Sequence, residues 1–261
     1  MKTATQTDGA LSVIIIAGDE EKNIAACLES VSWAHERIVV CSSRADRTEE
    51  IARFYATRVE FREFQGYAPQ KQYALDLATC EWVLSLDADE RATSELRDEI
   101  LRVTTDTGAC DGYTIPRKNY FNDIWLRHGG WYPDRQLRLF RKSATVVTNR
   151  LVHEGFDVRG RRGELQSPML HYTLPRVRRL LRKNLDYALY EAREKATRRR
   201  IGVLDFLLRP PIEFLKKYVF QRGFLDGWEG YIVALIHASN KLNVLIYLWE
   251  MQRRGGDGRE E

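Results

Sequence analysis

The stretch VLSLDADE, residues 83–90, ends an apolar run in three carboxylates, Asp87, Asp89 and Glu90. Like charges this close repel and raise one another's pKa unless something positive sits among them. Two Asp at i and i+2 at a strand end place both carboxylates beside one cavity. Hard divalent cations take oxygen ligands, and Mg2+ or Mn2+ typically uses one or two carboxylates plus substrate phosphates. The residue types therefore point to Mg2+ or Mn2+ bridging a diphosphate that arrives with a nucleotide. A solvated acidic loop is the plainer alternative.

The elements on either side must position these acids. LSVIIIA (11–17) is a continuous β-branched run, the pattern of a strand buried on both faces. GDEEKNIAACLESVSWA follows with Ile24, Leu28 and Val31 at helical spacing. RIVVCSS (37–43) reads as a second strand, and DRTEEIARFYAT (46–57) as a helix with Asp46 as N-cap and Glu49 completing a capping box. RVEFREF (58–64) reads as a third strand, APQKQYALDLATC (68–80) as a helix, and EWVLSLDAD (81–89) as a fourth strand entering the acidic cluster. TSELRDEILRVT (93–104) opens on a Ser/Thr cap. Such alternation predicts the α/β class, a Rossmann-like, mostly parallel sheet with helices on both faces. Ligands of such sheets bind at the carboxyl ends of the strands, where the acids lie.

Residues 112–173 are aromatic, glycine-containing and basic, as pocket linings are, with RQLRLFR alternating as a strand. From 174 the pattern is helical, and Pro210–Pro211 is predicted to break it. Residues 228–251 are apolar but interrupted by His237, Asn240, Lys241 and Asn243, and read as a buried or interfacial helix rather than a membrane span. The expected organisation is a flexible N-terminus (1–10), an α/β domain (11–173) with a nucleotide half (11–110) and an acceptor half (111–173), a C-terminal helical extension (174–251) that is membrane-proximal or dimerising, and a disordered tail (252–261).

A chain that is 44% hydrophobic and 30% charged buries a core and is not a disordered polymer. Its four cysteines form no Cys-x-x-Cys pair, and MKTATQTDGA lacks the apolar core of a signal peptide, which points to free thiols in a reducing cytosol. The net charge of +4 conceals an asymmetry: residues 1–100 carry 11 Lys+Arg against 19 Asp+Glu, so the remainder carries the excess of cations. Residues 176–200 hold ten basic and three acidic side chains, either a solvated face or a surface for anionic lipid or a phosphorylated acceptor. No recognition motif accompanies the charge, so nucleic acid is not an expected partner.

The segments SVIIIAGDEEKNIAACLESVSWAHERIVV, DRTEEIA, GYAPQKQYALDLATCEWVLSLDADE, RHGGWYPDRQLRLFRK, RLVHEGF, LHYT and RGFLDGWEGY resemble the family 2 glycosyltransferases over residues 11–250. They look most like the lipopolysaccharide inner-core glucosyltransferase branch. A phosphatase of the haloacid dehalogenase type also carries Asp-x-Asp after a strand. That class puts it on the first strand, with Thr or Val two residues beyond, where this chain has Arg91 after a fourth strand.

The resemblance implies a GT-A fold and a metal-dependent, inverting transfer from a nucleotide-sugar donor, UDP-glucose, to an amphiphilic glycolipid acceptor. It also implies a cytoplasmic, peripheral enzyme on the inner membrane surface, with the C-terminal helices available for a homo-oligomer. Together with the residue chemistry it assigns Asp87 to the donor, Asp89, Asp87 and His153 to the metal, and Glu154 or Asp134 to the proton of the acceptor hydroxyl. It places Ala17, Asp19, Glu20, Cys41, Asp46, Lys71 and Arg138 around the donor, and Trp131, Tyr132 and His128 around the acceptor.

The sequence departs from the family where the base should be read. The usual pattern there is close to VDSGSTDRT, and here VVCSSRADRT puts Cys41 in place of the Asp. A thiol cannot accept a base N–H as a carboxylate does. Compensation by Asp19 or Asp46, a different base, or a catalytically silent scaffold are the readings that this leaves open.

Overall fold

The computed structural model describes residues 9–121, 123–148, 155–174, 177–196 and 201–254. Twelve strands occur among them: β1 (Leu11–Ala17), β2 (Glu36–Cys41), β3 (Arg58–Phe61), β4 (Trp82–Asp87), β5 (Glu90–Ala92), β6 (Gly112–Phe121), β7 (Ile124–Trp125), β8 (Asp134–Arg141), β9 (Thr145–Thr148), β10 (Gly155–Val158), β11 (Arg162–Glu164) and β12 (Met169–Leu174). The helices are α1 (Ile24–Ser30), α2 (Thr48–Tyr55), α3 (Tyr67–Leu77), α4 (Ser94–Thr105), α5 (Val177–Lys195), α6 (Val203–Leu215) and α7 (Gly227–Arg254).

The chain divides into two compact units. The first comprises Met1–Lys118 and Asp134–Tyr172, the second Asn119–Pro133 and Thr173–Glu261. The second therefore takes in residues 119–133 from within the segment expected to form the acceptor half.

The first unit is built on a sheet of order β3-β2-β1-β4-β8-β6-β12-β5. β1 pairs in parallel with β2 on one side and β4 on the other, and β3 extends β2 in parallel. β1 sits at the centre because its β-branched side chains fill both faces: Val13 and Ile15 join one apolar cluster with α1 and α4, and Ile14 joins another with α3. β8 then joins β4 antiparallel and β6 joins β8 antiparallel. This parallel half extended by antiparallel strands is the GT-A arrangement that the sequence implies. It brings the carboxyl end of β4 beside β8.

Several local expectations hold for identifiable reasons. Thr93 caps α4, its Oγ1 accepting the Leu96 N–H at 3.1 Å. All four cysteines are free, with Cys27 and Cys41 buried. Other expectations are corrected. α2 begins at Thr48 rather than at residue 46, because the Asp46 carboxylate folds back onto the Thr48 N–H and hydroxyl, while Glu49 pairs with Arg53 instead of closing a capping box. Pro210 and Pro211 lie inside α6 rather than ending it. The carbonyls that lose their donors can be solvated because α6 buries none of its residues, and a π-helical turn, Lys216–Phe220, follows directly.

In the second unit α7 packs on α5 and α6. Val244 and Leu248 meet Ala188 and Ala192 in a small core, and Lys241 pairs with Glu191 at 3.1 Å. Residues Gly223–Arg253 are long and apolar enough to cross a membrane by length and composition, with a mean hydropathy of 1.3 over the best window. Gln252–Arg254 continue the helix into the segment expected to be a disordered tail, and 255–261 lie outside the described residues.

Ile15 is fully buried at the middle of the central strand. Ile15→Ala is expected to lower unfolding free energy by about 2–5 kcal/mol in urea titration, since the close-packed sheet cannot collapse onto the cavity.

Candidate active site

Asp87 closes β4, Asp89 follows in the turn, and Glu90 opens β5. Two arginines sit among these acids. Arg138 Nη2 donates to Asp87 Oδ2 at 2.5 Å and to Glu90 Oε1 at 2.6 Å. Arg117 Nη1 donates to the same Glu90 oxygen at 3.1 Å, and its Nη2 donates to Asp134 Oδ2 at 2.5 Å. The second Glu90 oxygen, Oε2, accepts the Asp87 backbone N–H at 2.9 Å. The result is a chain of alternating charge, Asp87–Arg138–Glu90–Arg117–Asp134, with Glu90 wholly buried at its centre.

Strand pairing explains the arrangement. Arg117 on β6 lies opposite Asp134 on β8. The register then shifts: Thr114 faces Leu137 and Tyr113 faces Leu139, leaving Arg138 as the extra residue of a bulge. A bulge re-aims the side chain it carries, and here that side chain reaches Asp87 and Glu90. The guanidinium groups of the chain itself therefore neutralise two of the three acids, Asp87 and Glu90, so a metal is not the sole positive partner of the cluster. Arg138, expected to clamp phosphates, is committed to carboxylates.

Burial alone would raise the Asp87 pKa. The Arg138 charge, with Lys71 and then Arg117, outweighs it and holds the carboxyl well below the usual carboxylate range. The Lys71 charge on α3 is thus felt at Asp87. Beneath them the Cys27 thiol points at the Asp87 carbonyl, 3.6 Å away.

Asp89 stands outside the arginine chain. Its Oδ1 lies 3.5 Å from His171 Nε2 on β12, a strand whose pairing sets His171 opposite Glu90. Among the described residues no group of three or more His, Cys, Asp or Glu gathers to hold a metal. The side chain left that would suit a hard cation here is the partly exposed Asp89 carboxylate, beside the His171 imidazole. Asp87, expected as a second ligand, has Oδ2 engaged by Arg138. His153 and Glu154 lie outside the described residues.

A second polar rim lies at the ends of β1 and β2. Asp19 adopts a left-handed backbone, φ 57°, and its Oδ1 accepts the Ser43 hydroxyl at 2.5 Å. The Glu20 N–H donates to Thr48 Oγ1, and the Glu21 N–H donates to Asp46 Oδ2 at 3.0 Å. Burial opposes ionisation of Asp46, but the hydrogen bonds from Thr48 outweigh it and keep its pKa low. Ala17 and Cys41 do not belong to the rim. Both are buried in the core, and burial, aided by Glu49, pushes the Cys41 thiol up to about 11. The thiol is a neutral packing group and reads no base, which leaves Asp19 as the exposed carboxylate of this rim.

The expected acceptor residues belong to the second unit. His128 Nδ1 is hydrogen-bonded to Asp226 Oδ1 at 2.7 Å, and Asp226 also accepts the backbone N–H groups of Arg127 and His128. Trp131 packs edge-on against His237, and Tyr132 edge-on against Trp125, with centroids 5.7 and 5.3 Å apart. Burial, and then the Lys217 charge, push His237 down to about 4, so that imidazole is neutral.

Sequence reasoning missed Glu90 and Arg117 as partners. The signal for Arg117 is its place opposite Asp134, which appears only when β6 and β8 are paired.

The sequence profile of glycosyl transferase family 2 matches residues 12–161. Among curated proteins, the lipopolysaccharide core biosynthesis glycosyltransferase LpsC of Rhizobium meliloti is 28% identical over 236 residues, covering 87% of each chain. An uncharacterized glycosyltransferase of Rickettsia typhi is 26% identical, covering 92% of this chain and 87% of its own. Among solved structures, S. aureus TarS 1–349 in complex with UDP-GlcNAc is 14% identical with a TM-score of 0.49, covering 94% of this chain and 92% of that one. Glucosyl-3-phosphoglycerate synthase from Mycobacterium tuberculosis, with Mn2+, UDP and phosphoglyceric acid, is 15% identical with a TM-score of 0.49, covering 71% and 77%.

Glu90→Gln leaves the buried Arg138 and the half-buried Arg117 guanidinium groups facing a neutral amide, and is expected to destabilise the fold by about 3–5 kcal/mol in urea titration. Asp89→Asn should stay within about 0.5 kcal/mol, because its carboxylate is partly exposed and outside the network. The depressed pKa of Asp87 contributes stability that is fully present above the ordinary carboxylate pKa of about 4 and is lost as pH falls through the folded value. The melting temperature should therefore drop on acidification below that point, and less steeply in Asp87→Asn.

Proposed function

Because the chain belongs to glycosyl transferase family 2, we propose that it moves a sugar from a nucleoside diphosphate, glucose from UDP-glucose, onto an amphiphilic glycolipid such as a lipopolysaccharide core. The observation that carries this reading is the ionised Asp87 at the carboxyl end of β4, clamped by Arg138 and faced by Lys71, with Asp89 beside it. Ligands of open α/β sheets bind at such strand ends. The similarity to a lipopolysaccharide core glycosyltransferase supports the acceptor class. An acceptor of that kind places the enzyme on the inner face of the cytoplasmic membrane, as a peripheral protein.

In this reading Asp87 orients the ribose or sugar of the donor, and Asp19 and Asp46 flank the nucleotide in place of the missing family Asp. Asp89 would hold Mg2+ or Mn2+ on the diphosphate, and the ion would neutralise charge on the leaving group. Transfer is inverting: the acceptor hydroxyl attacks the sugar from the face opposite the diphosphate while a carboxylate takes its proton. Both Asp134 oxygens are engaged, Oδ2 by Arg117 and Oδ1 by Gln136 Nε2 at 2.8 Å. That engagement suits Asp134 to orienting the acceptor and supports Glu154 as the base.

Calorimetric titration with UDP, GDP and dTDP, with and without Mn2+, tests the donor. Saturable binding of UDP that tightens with Mn2+ is expected, and no binding of any member at millimolar ligand would overturn the reading. Asp89→Asn should lose the effect of Mn2+ on UDP affinity while keeping the wild-type melting temperature. Glu154→Gln should lower turnover at least ~10²-fold with donor binding preserved. If Asp134→Asn shows that pattern and Glu154→Gln does not, the two roles are exchanged.

A further inference from the structure

α6 turns its apolar side to solvent. Val203, Leu204, Leu207, Leu208, Ile212 and Leu215 follow one another at steps of one, three or four residues, and all are exposed, Val203 by 75%. No residue of the helix is buried. The half-buried side, which carries Phe206, Pro210 and Phe214 along with Asp205, Arg209 and Glu213, serves the fold: Phe214 stacks on Tyr218 of the following π-helical turn and meets Tyr231 of α7 edge-on. The stripe is therefore not the packing face of a helix that has turned the wrong way; a different side meets α7.

Beyond α6 the stripe passes into aromatics, with Phe220 80% and Trp228 72% exposed. So many exposed apolar side chains on one helix and the turn that follows it are uncommon on a soluble monomer and mark a docking face. Its charges identify the occupant. From 203 to 215 the charged residues are Asp205, Arg209 and Glu213, none of them in the stripe, and Asp205 pairs with Arg209 at 2.7 Å. Lys216 and Arg222, both exposed, stand at the aromatic end. An uncharged apolar stripe flanked by exposed aromatics and cations is the composition of a helix that lies in the interface of an anionic bilayer.

We propose that the α6 stripe lies in the plane of an anionic bilayer. Its leucines enter the acyl boundary, Phe220 and Trp228 sit at the interface, and Lys216 and Arg222 meet the headgroup phosphates. The choice of lipid over protein rests also on the glycolipid acceptor proposed above. The assignment fixes which face of the second unit meets the membrane, and α6 lies along the bilayer rather than across it.

Sedimentation of the full chain with vesicles tests this without donor or acceptor, so its failure is separate from failure of the donor titration. The wild type is expected to pellet with phosphatidylglycerol-containing vesicles and to retain a bound fraction at high salt. Leu207→Asp/Leu208→Asp should lose at least ~10²-fold in partition, since two leucines leave the acyl region, with far-UV circular dichroism and UDP binding unchanged. Val203→Asp/Leu204→Asp, one turn earlier, should do the same. Lys216→Glu/Arg222→Glu should weaken binding at low salt only. A wild type that stays in the supernatant, or aspartate pairs that bind as the wild type does, would overturn the proposal. So would a vesicle-free dimer that the aspartate pairs convert to monomer, because a second copy would then cover the stripe.

Discussion

A carboxylate with no exposure to solvent, Glu90, holds two guanidinium groups in place, and the candidate site depends on that arrangement. A buried ion is tolerated only when its partners and hydrogen bonds replace the lost water. Glu90 meets the condition with Arg138, Arg117 and the Asp87 backbone N–H. Each arginine in turn fixes a second carboxylate, Asp87 on the donor side and Asp134 on the other. Three acids, Asp87, Glu90 and Asp134, are thereby held in fixed orientation by the chain itself. Asp89 lies outside this network, 3.5 Å from His171 Nε2.

The fold was legible where the signal is local. The unbroken β-branched run of β1 (Leu11–Ala17), the apolar approach to Asp87 in β4 (Trp82–Asp87) and the Thr93 cap of α4 are properties of a few neighbouring residues, and each is found as read. The family motifs supplied the long-range arrangement that local patterns lack. What was not legible depends on partners distant in sequence. Arg138 reaches Asp87 across 51 positions because of a bulge, and Arg117 reaches Glu90 across 27. No periodicity in either segment announces such pairs. The same limit explains Cys41: its place in the family pattern suggested a contact with the base, whereas the pairing of β2 buries it. Pro210–Pro211 failed as a helix stop because the rule concerns lost donors, and an exposed helix can leave the orphaned carbonyls to water.

The two units suit different tasks. The first has its charge organised inward, in a buried network around the strand ends. The second leaves apolar surface outward, with α7 packed on α5 and α6 but the far side of α6 uncovered. The proposed reaction, with a soluble donor and an amphiphilic acceptor, would use both properties in one chain.

The central claim is that Glu90 acts on the donor through Asp87 without touching it. The direct measurement is a calorimetric titration of UDP-glucose with Mn2+ into Glu90→Gln, at a temperature where circular dichroism shows the variant folded. The account predicts donor affinity reduced by about 10-fold or more, as expected when a positioning network loses roughly 1.4 kcal/mol of binding. It also predicts that Glu90→Asp recovers part of the loss. An unchanged dissociation constant in folded Glu90→Gln would contradict the account and leave Glu90 as a purely structural ion.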